Sequence, residues 1–277
     1  MAIRNIVILT GAGISAESGL ATFRAADGLW EGHRVEDVAT PEAFERDAGQ
    51  VHQFYDARRA RLGEVEPNAA HVALARLDAE WPGELLIVTQ NVDDLHERAG
   101  AKRLVHMHGE LLRGWCLACD ERFPWDGDMS PQSVRPEPVE GPSLVGKEEK
   151  EQSFDKLRTN GCPGDIREPE PRTNGNICPA CSTTGHIRPD IVWFGEMPYA
   201  MEQIETALRG CDLFVSIGTS GAVYPAAGFV QTAKYVGAHT LEINLEPSQG
   251  SMLFDERRFG LAGVEVPKWV DETLGAT

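Results

Sequence analysis

Short apolar runs alternate with helical stretches along most of this chain. The first run, NIVILT, covers residues 5–10 and ends at a glycine turn. Helical patterns occupy Ala69 to Glu80 and Tyr199 to Arg209. Buried strands that alternate with helices are typical of a parallel sheet covered on both faces, so the pattern predicts an α/β fold. The other apolar runs are LLIVT at 85–89, IVWF at 191–194, DLFVSIGT at 212–219 and TLEIN at 240–244.

Two regions depart from this alternation. Residues 33–65 are charged and helical in pattern, whereas residues 126–175 hold seven of the chain's 17 prolines and few large apolar residues. The tetrapeptide RTNG occurs twice in the second region, at 158–161 and 172–175. Such a segment cannot bury enough apolar surface to offset its ordering entropy, so we expect a late, flexible insertion there.

The composition narrows the classes of function. A formal net charge of −17 argues against a nucleic-acid partner and against binding to anionic lipid. No apolar run approaches the roughly 20 residues that span a bilayer, and Ile6 to Leu9 is too short for a signal-peptide core. The sequence therefore predicts a cytoplasmic protein whose six cysteines are reduced or bound to metal.

A glycine turn, Gly11-Ala12-Gly13, follows the first predicted strand. Its backbone can approach a pyrophosphate closely, and the N-terminus of a following helix would add a favourable dipole. A tight turn without a ligand remains the alternative. The third glycine of the usual dinucleotide pattern is absent, and no acidic residue ends a second strand about 20 residues later. A standard NAD dehydrogenase is therefore disfavoured.

Two CxxC pairs indicate a metal site. Four thiolates at this spacing are typical of tetrahedral zinc, and a full thiolate set leaves no position for a reacting water. We therefore expect a structural zinc and not a zinc hydrolase. The gap of 58 residues between the pairs is no obstacle, since loop-closure entropy rises only logarithmically with length. Cys162 could compete as a ligand, and Cys211 is predicted to be a buried core thiol. The predicted ligands are Cys116, Cys119, Cys178 and Cys181.

Polar residues and histidines follow several of the predicted strands. Ligands of open α/β sheets bind at the carboxyl ends of strands, so these residues are expected to share one crevice. A helix cap at Asn91 or Asp93 and a structural role for the histidines remain the alternatives. His108, which precedes a glycine, is the candidate for proton transfer. The full set is Gln90, Asn91, Asp93, His106, His108, Gly218, Thr219, Ser220, Asn244 and Glu246.

The stretch QFYDARR at 53–59 places Tyr55 and Arg58 three residues apart in a helical pattern, so their side chains share one face. Two interpretations fit: a solvated helix face, or a phenol and a guanidinium directed at an anionic ligand. Arg59 and Arg61 are predicted to belong to the solvated surface.

The segments GAGISAESGLATFR, QNVDDLHERAG, HMHGE, the paired CxxC, IVWFGE, GTSG and NLEP occur in an order that resembles the sirtuins, the NAD-dependent protein-lysine deacylases. The resemblance covers nearly the whole chain apart from 126–175. Ala21 and Ala25 stand where the family more usually has proline and glycine, which could alter the mobility of the cofactor loop.

The resemblance implies two domains. A Rossmann-like NAD-binding domain would comprise residues 1–32, 66–112 and 189–277. The smaller domain would comprise a helical module at 33–65 and a zinc-binding module at 113–188.

The resemblance also implies a role for NAD, which would be consumed as a co-substrate beneath a closing loop at about 20–32. His108 would be the catalytic base and His106 a supporting residue. The residues implied to bind NAD are Gly11, Ala12, Gly13, Glu17, Thr22, Phe23, Arg24, Trp30, Gln90, Asn91, Asp93, Gly218, Thr219, Ser220, Asn244, Glu246 and Ala262.

The implied substrates are proteins that carry acylated lysine. The segment from Val192 to Glu196, including Phe194 and Gly195, would form a strand that pairs with the substrate backbone. Tyr55 and Arg58 match a Tyr-x-x-Arg pair that, in one sirtuin subgroup, meets the carboxylate of succinyl- or malonyl-lysine.

The implied products are free lysine, nicotinamide and O-acyl-ADP-ribose. Two other functions remain open at the level of sequence: mono-ADP-ribosyl transfer, and a non-catalytic module that binds NAD or acyl-lysine.

Overall fold

We describe a computed structural model of the chain, in which residues 3–21, 29–30, 33–125, 127 and 177–275 are described. The strands are β1 (Asn5–Thr10), β2 (Leu29–Trp30), β3 (His33–Arg34), β4 (Glu84–Thr89), β5 (Leu104–His106), β6 (Gly109–Cys116), β7 (Arg122–Pro124), β8 (Ile187–Ile191), β9 (Leu213–Ile217), β10 (His239–Asn244) and β11 (Glu256–Phe259). The α-helices are α1 (Val35–Val38), α2 (Pro41–Arg46), α3 (Ala48–Leu62), α4 (Ala69–Glu80), α5 (Leu95–Ala99), α6 (Met201–Arg209), α7 (Phe229–Tyr235) and α8 (Ala262–Gly275).

A six-stranded parallel sheet, in the order β11-β10-β9-β1-β4-β5, forms the centre of the fold. From β1 the chain proceeds outward through β4 to β5, and then returns to β9 on the other side and proceeds through β10 to β11. The direction of winding therefore reverses between β1 and β9. Such a switch point opens a crevice at the carboxyl ends of the strands, where ligands of doubly wound sheets bind. The predicted α/β class is confirmed.

Both faces of the sheet are covered, because alternate side chains of each strand point to opposite sides. In β1, Ile6 and Ile8 face a core shared with α4 and α8. Val7 and Leu9 face the other core, which includes residues of α6 and α7. Strands β1, β4 and β9 are thus held between two apolar layers, and this fixes the positions of their ends.

A second module lies beside the crevice and contains α1 to α3 and an antiparallel sheet in the order β7-β6-β8. The prediction that residues 191–194 form a strand of the parallel sheet is wrong. Strand β8 ends at Ile191 and pairs with β6, and Trp193 packs into the core of the helical module. An apolar run alone does not distinguish a parallel-sheet strand from a segment that enters a second core.

Several predictions fall on residues outside the described part of the chain. These are the flexible insertion at 126–175, apart from Gly127, the competing ligand Cys162, and most of the cofactor loop at 20–32. The division into two domains at the stated boundaries stays a prediction. Among the described residues, no helix is long and apolar enough to cross a membrane.

Candidate active site

A cavity of about 790 Å³ lies at the carboxyl ends of the central strands and extends to the helical module. Its size is within the range of about 300–1,000 Å³ that is usual for ligand pockets. The predicted crevice is therefore present, and the strand ends meet in it. The predicted site residues that line it are Gly11, Ala12, Gly13, Glu17, Tyr55, Arg58, Gln90, Asn91, Asp93, His108, Val192, Phe194, Gly195, Glu196, Gly218, Thr219, Ser220, Asn244, Glu246 and Ala262.

The glycine turn after β1 packs directly against the end of β9. A Cβ atom at Gly13 would lie 2.7 Å from the Cα of Gly218, and one at Gly11 would lie 2.9 Å from its carbonyl oxygen. Gly218 itself has φ +64, in the left-handed region that favours glycine. These glycines therefore allow two strand ends to meet at the cavity.

The prediction of a helix dipole after this turn is wrong. Two 3₁₀ turns of three residues each, Ala12–Ile14 and Ala16–Ser18, follow Gly11 in place of an α-helix. Elements this short carry little aligned dipole, since the macrodipole is a sum over successive peptide units. The anion site predicted at this turn would therefore depend on backbone proximity and not on a helix dipole.

Ser15 connects the buried polar groups at one end of the cavity. Its hydroxyl donates to Asp93 Oδ2 over 3.0 Å and accepts from Asn91 Nδ2 over 3.1 Å. His71 Nδ1 accepts from the Asn68 N–H, so the neutral ring carries its proton on Nε2, 3.4 Å from Ser15 Oγ. Burial lowers the pKa of His71 to about 4, which keeps that ring neutral. Sequence reasoning missed Ser15 and His71, although Ser15 stands within the GAGIS motif.

The helix-cap alternative for QNVD is wrong, because the residue that precedes α5 is Asp94 and its side chain makes no capping hydrogen bond. Asp93 Oδ1 accepts from the Leu95 N–H two residues further on, and the same side chain lines the cavity. Burial raises the pKa of Asp93, whereas the bonds from Leu95 and Ser15 oppose that rise. Asn91 does not cap the helix through its side chain, because its amide is directed to Ser15.

His108 presents one ring nitrogen to the protein and lines the cavity. Its Nδ1 lies 3.1 Å from the carbonyl oxygen of Gln90, which can only accept, so Nδ1 carries the proton. In the neutral ring, Nε2 is then an acceptor. Burial lowers the pKa of His108, although the bond to Gln90 opposes the shift, so the neutral form prevails at pH 7. The geometry suits a general base.

His106 has the opposite character. Its Nδ1 lies 3.0 Å from the Asn91 carbonyl oxygen and its Nε2 lies 2.6 Å from Glu97 Oε1. Burial lowers the pKa of His106, but the Glu97 carboxylate, the Asn91 carbonyl and Glu110 together outweigh burial and the net shift is upward. With both nitrogens directed at acceptors, the protonated form of this ring is stabilised relative to that of a free histidine, and the ring holds the Asn91 backbone in place.

The other end of the cavity is formed by β9, β10 and the start of α8. Asn244 Nδ2 donates to the Thr219 carbonyl oxygen over 2.7 Å and ties the two strand ends together. Glu17 Oε1 accepts from the N–H of Gly263 over 2.8 Å, in the first turn of α8. The roles of these residues in NAD binding stay predictions.

Tyr55 and Arg58 lie on the face of α3 that borders the cavity. Arg58 Nη1 donates to the Phe54 carbonyl oxygen over 2.6 Å, and its guanidinium carbon lies 3.1 Å from the centre of the Phe54 ring. Both Tyr55 and Arg58 are buried. The solvated-face interpretation is therefore wrong for this pair, because neither side chain is exposed to solvent. Burial of a guanidinium is costly unless its surroundings are favourable.

The predictions for the neighbouring arginines also need correction. Arg59 is buried and pairs with Asp56, and its Nη1 donates to the Leu111 carbonyl oxygen over 3.3 Å. Arg61 is mostly exposed, as predicted, and pairs with Glu64, but it also lines the cavity. The sequence could not reveal that β6 and the cavity approach two faces of α3.

The predicted substrate strand at 192–196 is not a strand in this structure. Phe194 N–H donates to the Ala39 carbonyl oxygen, and Gly195, with φ +92, lies in a turn that follows β8. Glu196 Oε2 accepts from the Trp193 N–H over 2.8 Å. The segment nevertheless lines the cavity. Sequence reasoning passed over Trp193, whose indole N–H donates to the Tyr55 hydroxyl.

The four predicted zinc ligands form one cluster. Their sulfur atoms all lie within 4.8 Å of one another, with separations of 3.8 Å for Cys116–Cys181 and 3.7 Å for Cys119–Cys178. Tetrahedral zinc with Zn–S bonds of about 2.3 Å requires S–S separations of about 3.8 Å. The cluster therefore fits zinc. Cys211 is buried outside the cluster, which confirms its prediction as a core thiol.

Four predicted cofactor residues are not placed in the site. Thr22, Phe23 and Arg24 lie outside the described residues, and of Trp30 only the backbone, in β2, is described.

Comparison with known proteins decides the family. The model of the Sir2 family matches residues 11–225. The chain belongs to the Sir2 family. A protein of Vibrio vulnificus (strain YJ016) named NAD-dependent protein deacylase is 50% identical over 273 residues, which cover 98% of this chain and 94% of that protein. One of the same name from Salmonella typhimurium is 48% identical over 271 residues, with 97% and 84% covered.

Solved Sir2 structures share the fold. A mutant Sir2 homologue in complex with ADP-ribose is 31% identical and has a TM-score of 0.76, with 99% of this chain and 93% of that chain covered. A Sir2 homolog–NAD complex is 30% identical, also has a TM-score of 0.76, and matches over 99% of this chain and 91% of that chain. The predicted Rossmann-like parallel sheet is thereby confirmed, and beside it the helical module and the cluster of four cysteines, which could bind zinc, are present as predicted.

We expect the Sir2 chain to contain about one zinc ion, held by its four clustered thiolates. Replacement of one ligand, Cys181→Ser, should lower the zinc content after dialysis against a mild chelator well below that of the parent, as measured by elemental analysis. The matched control is Cys211→Ala, which removes a thiol outside the cluster and should leave the zinc content unchanged. Equal zinc content in the Cys181 variant and the parent would contradict the site.

Proposed function

We propose that this Sir2 protein removes acyl groups from protein lysines with consumption of NAD, and that it accepts acidic acyl groups such as succinyl and malonyl as well as acetyl. The observation that carries the proposal is the placement of His108, the glycine turn and the Tyr55–Arg58 pair around one cavity. The names of the relatives, NAD-dependent protein deacylase, support the general reaction.

The chain's residues fit NAD as the co-substrate. The glycine turn brings backbone close to Gly218, and the polar strand ends offer amide and hydroxyl groups along the cavity. When bound, NAD supplies a ribose carbon to which the acyl oxygen is transferred as nicotinamide leaves. The buried Asn91 and Asp93, held by Ser15, would line the nicotinamide end and exclude water from it.

His108 would act as the base for a ribose hydroxyl. Its Nδ1 proton is committed to the Gln90 carbonyl, so Nε2 is the atom that would accept the proton. The lowered pKa of His108 keeps Nε2 unprotonated at neutral pH. After water completes the transfer, the products would be free lysine and an O-acyl-ADP-ribose.

Arg58 would supply the acidic-acyl preference. A buried guanidinium beside a phenol forms a cationic subsite in a chain whose net charge is −17. Guanidinium and carboxylate form charge-assisted hydrogen bonds, often in pairs, and these are roughly twice as strong as neutral ones. An acetyl group has no carboxylate and would not use this subsite.

The experiment is a mass-spectrometric assay of matched acetyl- and succinyl-lysine peptides, with and without NAD. We expect NAD-dependent loss of succinyl well above the loss of acetyl, together with release of nicotinamide. Loss of acetyl alone would retain the deacylase and remove the acidic-acyl preference. Absence of nicotinamide release would favour a binding module, and ADP-ribose attached to protein would favour ADP-ribosyl transfer.

A further inference from the structure

Trp193 connects the backbone beside the cavity to the Tyr55 hydroxyl. Its indole Nε1 lies 3.0 Å from the Tyr55 oxygen, across 138 residues of sequence, and the bond is buried. Indole nitrogen can only donate, so the tyrosine oxygen is the acceptor. Burial raises the pKa of the Tyr55 phenol, which therefore keeps its own proton. That proton must point away from the indole.

An arginine clamp holds Trp193 in this position. The guanidinium carbon of Arg188 lies 3.4 Å from the centre of the Trp193 ring. Arg188 also binds both carboxylate oxygens of Glu196, over 2.6 and 2.9 Å, and Glu196 Oε2 accepts from the Trp193 backbone N–H. Ring and backbone of Trp193 are thus fixed by the same ion pair. Trp193 is only 2% exposed, so water does not compete for the indole N–H.

We propose that Trp193 is a specificity-determining positioning residue, whose indole N–H orients the Tyr55 hydroxyl so that its proton is donated to the carboxylate of an acidic acyl group. The inference rests on the proposed acidic-acyl preference. A hydroxyl that accepts one hydrogen bond is polarised and donates a stronger one, so the indole strengthens the contact as well as orienting it. An acetyl group presents no carboxylate to this hydroxyl, so the effect is confined to acidic acyl groups.

The test is the substitution Trp193→Phe, which keeps an aromatic ring for the Arg188 clamp and removes the indole N–H together with the second ring of the indole; the control below carries the same loss of ring size. We expect kcat/KM for a succinyl-lysine peptide to fall about threefold to tenfold, the value of one net hydrogen bond, mainly through a higher KM. Deacetylation should stay within about twofold of the parent, since an acetyl group has no carboxylate to accept a hydrogen bond from the Tyr55 hydroxyl. Unchanged deacetylation also shows that the variant folds.

Three further variants make the test specific: Tyr55→Phe, the double variant with Trp193→Phe, and a control. In the Tyr55→Phe background, Trp193→Phe should have no further effect on desuccinylation, because the two residues act through one bond. The matched control is Trp115→Phe, which removes another indole N–H. This N–H donates to Asp120 and belongs to a ring that also faces Arg188. The control should leave acyl selectivity unchanged.

The outcomes separate the two proposals. If the parent protein does not remove succinyl, the acidic-acyl preference fails and this inference fails with it. If Tyr55→Phe impairs desuccinylation but Trp193→Phe does not, only the inference about Trp193 is overturned. Equal losses on both peptides, or additive losses in the double variant, would assign Trp193 a general packing role and overturn the inference as well.

Discussion

Replacement of His108 by alanine should lower kcat/KM for both acetyl- and succinyl-lysine peptides by about 10²- to 10⁴-fold, the usual contribution of a general base. The reason is local: Nε2 is the unprotonated ring atom, since Nδ1 donates to the Gln90 carbonyl oxygen. The loss should be the same for both acyl groups, because the base acts on the ribose and not on the acyl chain. Steady-state assays of both peptides measure it.

Two controls define this result. His239→Ala removes an imidazole that is half exposed at the start of β10, outside the cavity, and should leave both activities unchanged. Binding of NAD to the His108 variant, followed by calorimetry, should remain close to that of the parent, because the glycine turn and the Ser15 cluster are intact. Retention of a tenth or more of the parent activity would remove His108 from the role of base.

Replacement of Arg58 by methionine should reduce desuccinylation by about 2–3 kcal/mol of transition-state stabilisation, the value of a hydrogen bond to a charged group. Deacetylation should be spared. Methionine keeps most of the aliphatic part of the arginine side chain and removes the guanidinium, and with it both the charge and the stacking on the Phe54 ring. The ratio of kcat/KM for succinyl and acetyl peptides is the quantity to measure.

Arg61→Met is the matched control, because Arg61 stands on the same helix and lines the same cavity. Its side chain is 55% exposed and pairs with Glu64, and exposed pairs contribute about 0–1 kcal/mol. We therefore expect little change in the succinyl-to-acetyl ratio. A similar fall in both activities of the Arg58 variant would show that Arg58 supports the fold and does not bind the carboxylate of the acyl group.

The strand ends were predictable because they depend on local patterns. An apolar run followed by glycine or a polar residue identifies a buried strand and its exit, and parallel strands place their carboxyl ends together. This reasoning located Gly13, Asn91, His108, Gly218 and Asn244 around one cavity. The metal site was equally predictable from the paired CxxC, because the metal geometry constrains both the residue type and the spacing.

The contacts between modules could not be predicted in this way. The bond from Trp193 to Tyr55 and the bond from Arg59 to Leu111 join segments far apart in sequence, and no periodicity encodes them. The pattern at residues 191–194 predicts the wrong sheet for the same reason. Their apolar pattern reflects burial, and burial in the helical module has the same signature as burial in the central sheet.

The hydrogen bonds around Ser15 have a consequence for the reorganisation energy of the site. Since Asn68 fixes the tautomer of His71, and His71 and Asn91 both donate to Ser15, the hydroxyl proton has one direction left, toward Asp93. Each dipole in this group already has its final orientation. A charge that develops in the adjacent cavity is therefore surrounded by polar groups that are already oriented. Water dipoles would have to reorient around the same charge at a cost in free energy.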